Sequence, residues 1–236
     1  MDVVPINQKR IYQSVIEQFV RLIKDGKLQI GDRMPSERTL AEMFNISRAS
    51  IREALSALEI IGLIEVRPGD GSFVTELNIA PFINAISPLF IRNDSMEKEL
   101  LDFRKILELN AVELAAARAE STKDLLTALK DMKVAIDNDD LNAGAEADVY
   151  FHKSIFLLSQ NFILIKASDC IITILESSVR FNRDKSLKNN FNAREIYKQH
   201  LEIYEAIMLH RPEIAKCRME KHLDFALKNA ANWRKQ

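Results

Sequence analysis

Five of the six glycines in this 236-residue chain lie within its first 71 residues, and only Gly144 follows them. Glycine permits tight turns that other residues resist, so the first third of the chain is expected to be compact and rich in turns. The later part lacks such breaks and carries apolar residues at helical spacing. The sequence therefore predicts two domains, residues 1–76 and 96–236, joined by a linker and connecting helix over residues 77–95.

The first domain begins with an amphipathic helix and continues with two shorter helices. Ser36 and Ser47 stand at the start of those two helices, where serine caps the free backbone N–H groups. Two short apolar strands follow, joined by the turn sequence Pro68-Gly69-Asp70-Gly71. Three helices and a β-hairpin in this order predict a winged helix-turn-helix, whose second motif helix enters the DNA major groove.

The second domain shows helical periodicity throughout and no hairpin signal. A mainly α protein is therefore expected, with an all-α antiparallel bundle after the winged domain. The predicted helical blocks are residues 96–119, 122–138, 141–158, 162–183, 192–209 and 212–232.

Charge placement, and not total charge, must create any DNA-binding face. The net charge is −1, and residues 1–75 carry ten basic and ten acidic side chains. Arg48 and Arg52 lie four residues apart and therefore share one helix face, and arginine can bond guanine in a bidentate fork. Arg38 could bind a phosphate. The alternative is that these arginines form surface ion pairs with neighbouring glutamates.

A second constellation of polar residues lies in the helical domain. Asp148 and His152 share a helix face, and His200 and His222 stand at similar distances on either side of the turn His210-Arg211-Pro212. If the last two helices fold back at that turn, three imidazoles and a carboxylate converge. Such a set suits zinc, nickel, iron or manganese. The alternative is a group of separate structural histidines, and His210 is expected to lie outside the cluster.

The first domain resembles the GntR family of transcription regulators. The segments that carry the resemblance are Met34-Pro35-Ser36-Glu37-Arg38-Thr39-Leu40-Ala41, Ser47-Arg48-Ala49-Ser50-Ile51-Arg52-Glu53-Ala54-Leu55 and Gly69-Asp70-Gly71-Ser72-Phe73-Val74. The resemblance implies that Arg38, Arg48, Ser50 and Arg52 contact DNA and that Gly69 approaches the minor groove. Ala49 and Asp70 depart from the hydroxyl and basic residues common at their positions, which weakens contacts there.

Residues 96–232 resemble the FCD ligand domain of the FadR branch of that family. Asp102–Glu108 resembles its opening helix, and Asp148–His152 followed by Asn161 resembles its central motif. The resemblance implies that Asp148, His152, His200 and His222 hold a divalent transition metal beside a small carboxylate or sugar-acid effector. It also implies that Arg104 lines the effector cavity, although a salt bridge with Glu108 four residues later explains it equally well.

Together these features predict a homodimeric, ligand-responsive regulator that is released from pseudo-palindromic operator DNA by a small acid. We expect no enzymatic activity, no membrane span and, since no signal peptide is evident, a cytoplasmic location. Cys170 and Cys217 are expected to be buried free thiols. The competing hypotheses are a metalloenzyme, which needs a general base and leaves the first domain unexplained, and an architectural DNA-binding dimer without a ligand.

Overall fold

The computed structural model describes residues 11–78, 82–83, 85–86, 94–170, 172 and 190–233. The chain divides into two compact units, Met1–Ala85 and Ile86–Gln236. Most of the predicted linker and connecting helix lies outside the described residues, as does the later part of the helical block predicted over 162–183. The division falls within the predicted linker, while its limits at residues 76 and 96 stay a prediction.

The first unit is the predicted winged helix-turn-helix. Its elements are α1 (Ile11–Lys24), α2 (Glu37–Phe44), α3 (Arg48–Ile60), β1 (Ile64–Arg67) and β2 (Gly71–Val74). The two strands pair antiparallel, with Ile64 opposite Val74 and Arg67 opposite Gly71. The core of the unit contains apolar residues from all three helices and both strands, among them Phe19, Leu40, Ile51, Leu58 and Val74.

Serine caps and a left-handed residue form the helix-turn-helix. The Ser36 hydroxyl accepts a hydrogen bond from the backbone N–H of Thr39 at 3.2 Å, and Ser47 accepts one from Ser50 at 3.1 Å. Asn45 ends α2 with a φ of 52°, a conformation that asparagine tolerates better than most residues. The turn can then reverse within a few residues, and the predicted caps are confirmed.

A short segment before α2 pairs with β2 on the side of that strand away from β1. Arg33 forms an isolated antiparallel bridge with Phe73, and the backbone N–H of Met34 donates to the Ser72 carbonyl at 2.8 Å. The Gly31 N–H likewise donates to the Val74 carbonyl at 2.8 Å. The sequence prediction did not include this pairing, because so few residues take part that no alternating pattern reveals them.

The second unit is the predicted helical bundle. Five of its helices are α4 (Asp94–Arg118), α5 (Lys123–Asp137), α6 (Leu141–Leu158), α7 (Asn190–Met208) and α8 (Pro212–Trp233). Residues 162–170, between α6 and α7, are also helical. Helix α4 packs against α6, α7 and α8, and α5 packs against α6 and α7. Ala111, Ala115 and Ala116 of α4 are buried. Their small side chains allow neighbouring helices to approach closely.

None of the described helices is long and apolar enough to cross a membrane. Both cysteines are free, as expected, but the prediction that they are buried was wrong. Cys217 is exposed and Cys170 is half-buried, because each stands on a helix face that only partly meets the core.

Candidate functional site

The residues predicted to bind a metal converge inside the second unit. Asp148 and His152 stand one turn apart on α6, while His200 comes from α7 and His222 from α8. One ligand atom of each residue lies within 4.8 Å of the corresponding atoms of the other three. The three histidines are buried and Asp148 is half-buried. The short turn between α7 and α8 brings His200 and His222 to the same height, with ring centroids 4.4 Å apart.

The distances within this Asp/His cluster suit one shared ion. Nε2 of His152 lies 3.3 Å from Nε2 of His200 and 3.3 Å from Nε2 of His222. The Asp148 Oδ1 lies 3.4 Å from Nε2 of His200. Two atoms bound to one zinc-like ion at about 2.0–2.1 Å stand roughly 3.0–3.4 Å apart, so these three distances fit a first-row divalent ion. The distance from Nε2 of His152 to Oδ1 of Asp148 is longer, at 4.0 Å.

Hydrogen bonds at the far side of two rings leave their Nε2 atoms free to coordinate. Nδ1 of His152 donates to the Glu108 carboxylate, and Nδ1 of His222 donates to the Gln199 amide oxygen at 3.1 Å. With the proton on Nδ1, each Nε2 directs a lone pair into the cluster. Facing lone pairs and a carboxylate repel one another, and a cation between them removes that repulsion.

The electrostatics of the cluster favour neutral imidazoles. Burial, together with the neighbouring imidazoles, lowers the pKa of His200 and of His222 well below the usual value for histidine. Nδ1 of His200 has no well-formed hydrogen bond to any described residue. Neutral histidine is the form that binds metals, so the donor set fits a divalent transition metal.

Glu108 is a functional candidate that sequence reasoning treated only as a salt-bridge partner. Its buried carboxylate joins two groups, because Oε1 accepts from Nε of Arg104 and Oε2 from Nδ1 of His152. Burial alone raises the pKa of Glu108, but the charge of Arg104 and the hydrogen bonds from Arg104 and His152 outweigh this and lower it well below its usual range. The sequence did contain a sign that Glu108 is buried, because helical spacing places it on the same face as the apolar residues Ala111, Val112 and Ala115.

Arg104 therefore forms the salt bridge that was one of its two predicted roles. Its guanidinium uses Nε in this pair, which leaves its other N–H donors for a further acceptor. Burial lowers the pKa of Arg104, but attraction to the Glu108 carboxylate, with a smaller contribution from the Asp148 carboxylate, raises it above its usual value. The arginine thus stands beside the Asp/His cluster, and the salt bridge does not exclude the predicted effector contact.

His210 lies outside the cluster. It is exposed in the turn between α7 and α8, with a φ of 52°, and its Nδ1 lies 3.0 Å from the Ala116 carbonyl oxygen. It therefore offers a control histidine for experiments on the cluster.

The residues predicted to contact DNA lie on the exposed surface of the first unit around α2 and α3. Arg52 of α3 forms a two-pronged pair with Glu37, with N···O distances of 3.2 and 2.9 Å, and Arg48 lies 3.8 Å from the same carboxylate. Arg38 of α2 pairs with Glu42 at 3.3 Å. Exposed ion pairs contribute little stability, so these arginines can exchange a glutamate for a DNA acceptor at small cost.

Ser50 is half-buried at the start of α3, and Gly69 is exposed at the hairpin turn. The Ser50 hydroxyl lies 3.0 Å from the Ser47 hydroxyl at the start of α3. Gly69 has a φ of +79°, and a Cβ built on it would meet no atom within 4 Å. Its backbone at the hairpin turn is therefore open to a close approach by DNA.

A winged helix-turn-helix followed by a helical domain with a buried polar cluster defines the class of DNA-binding transcription regulators with an attached ligand domain. The chain belongs to the GntR family within that class. Residues 11–74 match the family model described as bacterial regulatory proteins, gntR family, and residues 99–225 match the FCD domain. Both resemblances deduced from the sequence are confirmed.

Two curated relatives and one solved structure agree with this assignment. The chain is 32% identical to the HTH-type transcriptional regulator LutR of Bacillus subtilis, over 86% of this chain and 93% of LutR. It is 29% identical to the Glc operon transcriptional activator of Escherichia coli K12, over 94% and 89%. Streptococcus agalactiae GntR has the same fold, with a TM-score of 0.64 and 23% identity over 92% and 98%. These relatives are regulators, so the metalloenzyme hypothesis was wrong and the expectation of a non-enzyme is confirmed.

Proposed function

We propose that this regulator binds a pseudo-palindromic operator as a homodimer and is released from it by a small organic or sugar acid. The observation that carries the proposal is the buried cluster of Asp148, His152, His200 and His222 next to Arg104. A cationic centre with a neighbouring guanidinium attracts a carboxylate, and the cluster lies in a domain attached to a DNA-binding unit.

In this proposal the four clustered residues hold one divalent transition metal: zinc, nickel, iron or manganese. The ion would supply positive charge and a coordination position for a carboxylate oxygen. Arg104 would bind the second carboxylate oxygen through the N–H groups that its salt bridge leaves free. Glu108 would keep the proton of His152 on Nδ1, so that Nε2 stays a ligand.

DNA recognition is assigned to Arg38, Arg48, Ser50, Arg52 and Gly69. Arg48 and Arg52 would bond base edges from α3, Arg38 and Ser50 would bind phosphates, and the Gly69 backbone would approach the minor groove. Dimerisation through the helical domain would set the spacing of two α3 helices, and effector binding would favour a spacing that no longer fits the half-sites.

The test begins with the metal content of protein purified without chelator or histidine tag. We expect one divalent ion per chain in the wild type and in His210→Ala, and loss of that ion in His200→Ala. The control works because His210 is exposed and outside the cluster. Equal metal loss in both variants, or a wild type that takes up no zinc, nickel or manganese on titration, would contradict the proposal.

The second stage screens carboxylic acids for thermal stabilisation of the metal-loaded protein. A ligand at a hundredfold excess over its Kd raises the free energy of unfolding of the protein that binds it by about 2.7 kcal/mol. An acid that stabilises the wild type should also release it from DNA selected by the protein from a random pool. Stabilisation accompanied by tighter DNA binding would show that the effector acts in the opposite direction, while no stabilisation by any acid would reject the effector class.

A further inference from the structure

A groove of about 750 Å³ separates α3 from the tip of the β-hairpin in the first unit. Three arginines and two glutamates are among its lining residues: Arg33, Arg52, Arg67, Glu37 and Glu59. When a recognition helix occupies the major groove and the hairpin reaches the neighbouring minor groove, the DNA backbone strand between the two grooves passes between these elements. In the proposed complex with DNA, phosphates would therefore approach the domain at this groove.

The backbone of Arg33 is fixed at this groove, while its side chain is exposed. Its bridge with Phe73 fixes the main chain against β2, while 64% of the side-chain surface stays accessible. The side chain passes over Gly71, where an added Cβ would lie 3.4 Å from Nε of Arg33. Its Nη2 reaches to 3.9 Å from the Asp70 carboxylate. The guanidinium therefore lies at the hairpin tip although residue 33 is far from the tip in sequence.

The position of the Arg33 guanidinium matters because Asp70 lies beside it. A carboxylate at the hairpin tip repels phosphates. Arg33 places a positive charge beside this carboxylate and so offsets its negative charge at the tip. Arg67, the other hairpin arginine, stacks over Phe73 at 4.4 Å and pairs with Glu65 at 3.3 Å. Both of these Arg67 contacts lie within the hairpin strands, whereas the Arg33 guanidinium reaches the carboxylate at the hairpin tip.

We propose that Arg33 is a phosphate-binding residue, which supplies from the segment before α2 a cation that offsets the Asp70 carboxylate at the hairpin tip. This inference rests on the proposed DNA binding and adds a contact to it. Phosphate contacts carry no sequence information. Arg33 should therefore contribute to affinity and to its salt dependence, and not to the choice of base.

The experiment measures salt-dependent binding to two duplexes of about three helical turns. One has mixed, unselected sequence, and the other is selected from a random pool by the wild-type protein. Each lost phosphate contact lowers the slope of log affinity against log salt by about 0.9, so a dimer with two such contacts loses roughly 1.8. We expect this loss for Arg33→Gln on both duplexes, and recovery of the slope in Arg33→Lys. Lys24→Gln, which removes one charge from the last turn of α1 outside the groove, should keep the wild-type slope.

Three results would overturn the inference. They are an unchanged slope in Arg33→Gln, a loss confined to the selected duplex, or a slope in Lys24→Gln that falls as far as in Arg33→Gln. Failure of the proposed function would look different, since the wild type itself would then select no sequence from the pool. Circular dichroism and melting of Arg33→Gln, whose substituted side chain is exposed, should match the wild type.

Discussion

At the residue scale, Glu37 orients Arg48 and Arg52, the two α3 arginines proposed to bind DNA, in the structure without DNA. Its carboxylate receives two hydrogen bonds from Arg52 and lies 3.8 Å from Arg48. The Arg52 hydrogen bonds, with the charges of both arginines, lower the pKa of Glu37 despite some desolvation, so the anion persists at neutral pH. Both guanidiniums are thereby drawn toward the N-terminal ends of α2 and α3.

Arg52→Ala tests direct base recognition from this surface. We expect the variant to lose about 1–3 kcal/mol of operator binding and to relax selectivity at one base position. Arg38→Ala is the matched comparison, because its phosphate contact should weaken binding to selected and scrambled duplexes alike. Selection from a random pool, followed by titration of both duplexes, measures the two effects. Equal weakening on both duplexes by Arg52→Ala would make Arg52 a phosphate contact instead.

Glu108→Gln tests the positioning of His152. The amide is uncharged and pairs more weakly with both His152 and Arg104, so the preference for a proton on Nδ1 of His152 is reduced. Loss of such a supporting contact typically lowers metal affinity about 10–100-fold. Competition with a chromophoric chelator measures that affinity without any DNA. Glu113→Gln, which breaks a 2.6 Å pair with Lys216 elsewhere on α4, should leave metal affinity unchanged; a similar drop there would mean that the effect is general destabilisation of α4.

At the element scale, the end of α3 depends on a glycine that packs against the chain leaving the hairpin. Gly62 has a φ of +73°, and a Cβ there would lie 1.6 Å from the Asn78 carbonyl oxygen. Gly69 has a similar φ of +79° but open surroundings. The two positions share the same backbone strain, of order 1–3 kcal/mol for a non-glycine residue, and differ only in the collision with Asn78.

We therefore expect Gly62→Ala to be far more destabilising than Gly69→Ala. The first substitution forces the Asn78 backbone to move in addition to the strain, whereas the second incurs the strain alone. Urea unfolding of the two variants measures the difference in unfolding free energy. Equal losses would show that the segment around Asn78 is not packed against Gly62 in solution.

The elements themselves were largely predictable, because local chemistry determines them. Ser36, Asn45 and Ser47 act through contacts within a few residues, and the helical blocks follow from apolar spacing. The Asp/His cluster was also predictable, since equal distances from one turn place His200 opposite His222. The pairing of Arg33 with Phe73 and the link from Glu108 to His152 were not predictable. Each joins residues about forty positions apart, and no periodic pattern in the sequence indicates such a contact.

At the scale of the whole molecule, the first unit carries the arginines proposed to bind DNA and the second carries the Asp/His cluster. A ligand in one unit alters DNA binding by the other only if it prefers one arrangement of the proposed dimer. The coupling between effector and operator is then a shared free energy, typically about 1–3 kcal/mol or 5–150-fold in affinity. Thermodynamic linkage requires that the same factor apply in both directions.

This reciprocity gives a prediction that separates a ligand-controlled regulator from an architectural DNA-binding dimer. The acid that most stabilises the metal-loaded protein should lower operator affinity, and saturating operator should lower the affinity for that acid by the same factor. Calorimetric titration of the acid into free and operator-bound protein measures the second factor, and DNA titration with and without the acid measures the first. Arg104→Ala should bind operator normally and lose both effects, because the residue lies beside the Asp/His cluster in the FCD domain and not in the winged helix-turn-helix. If the acid binds free and operator-bound protein equally, the helical domain does not transmit its occupancy to the DNA, and the dimer is architectural.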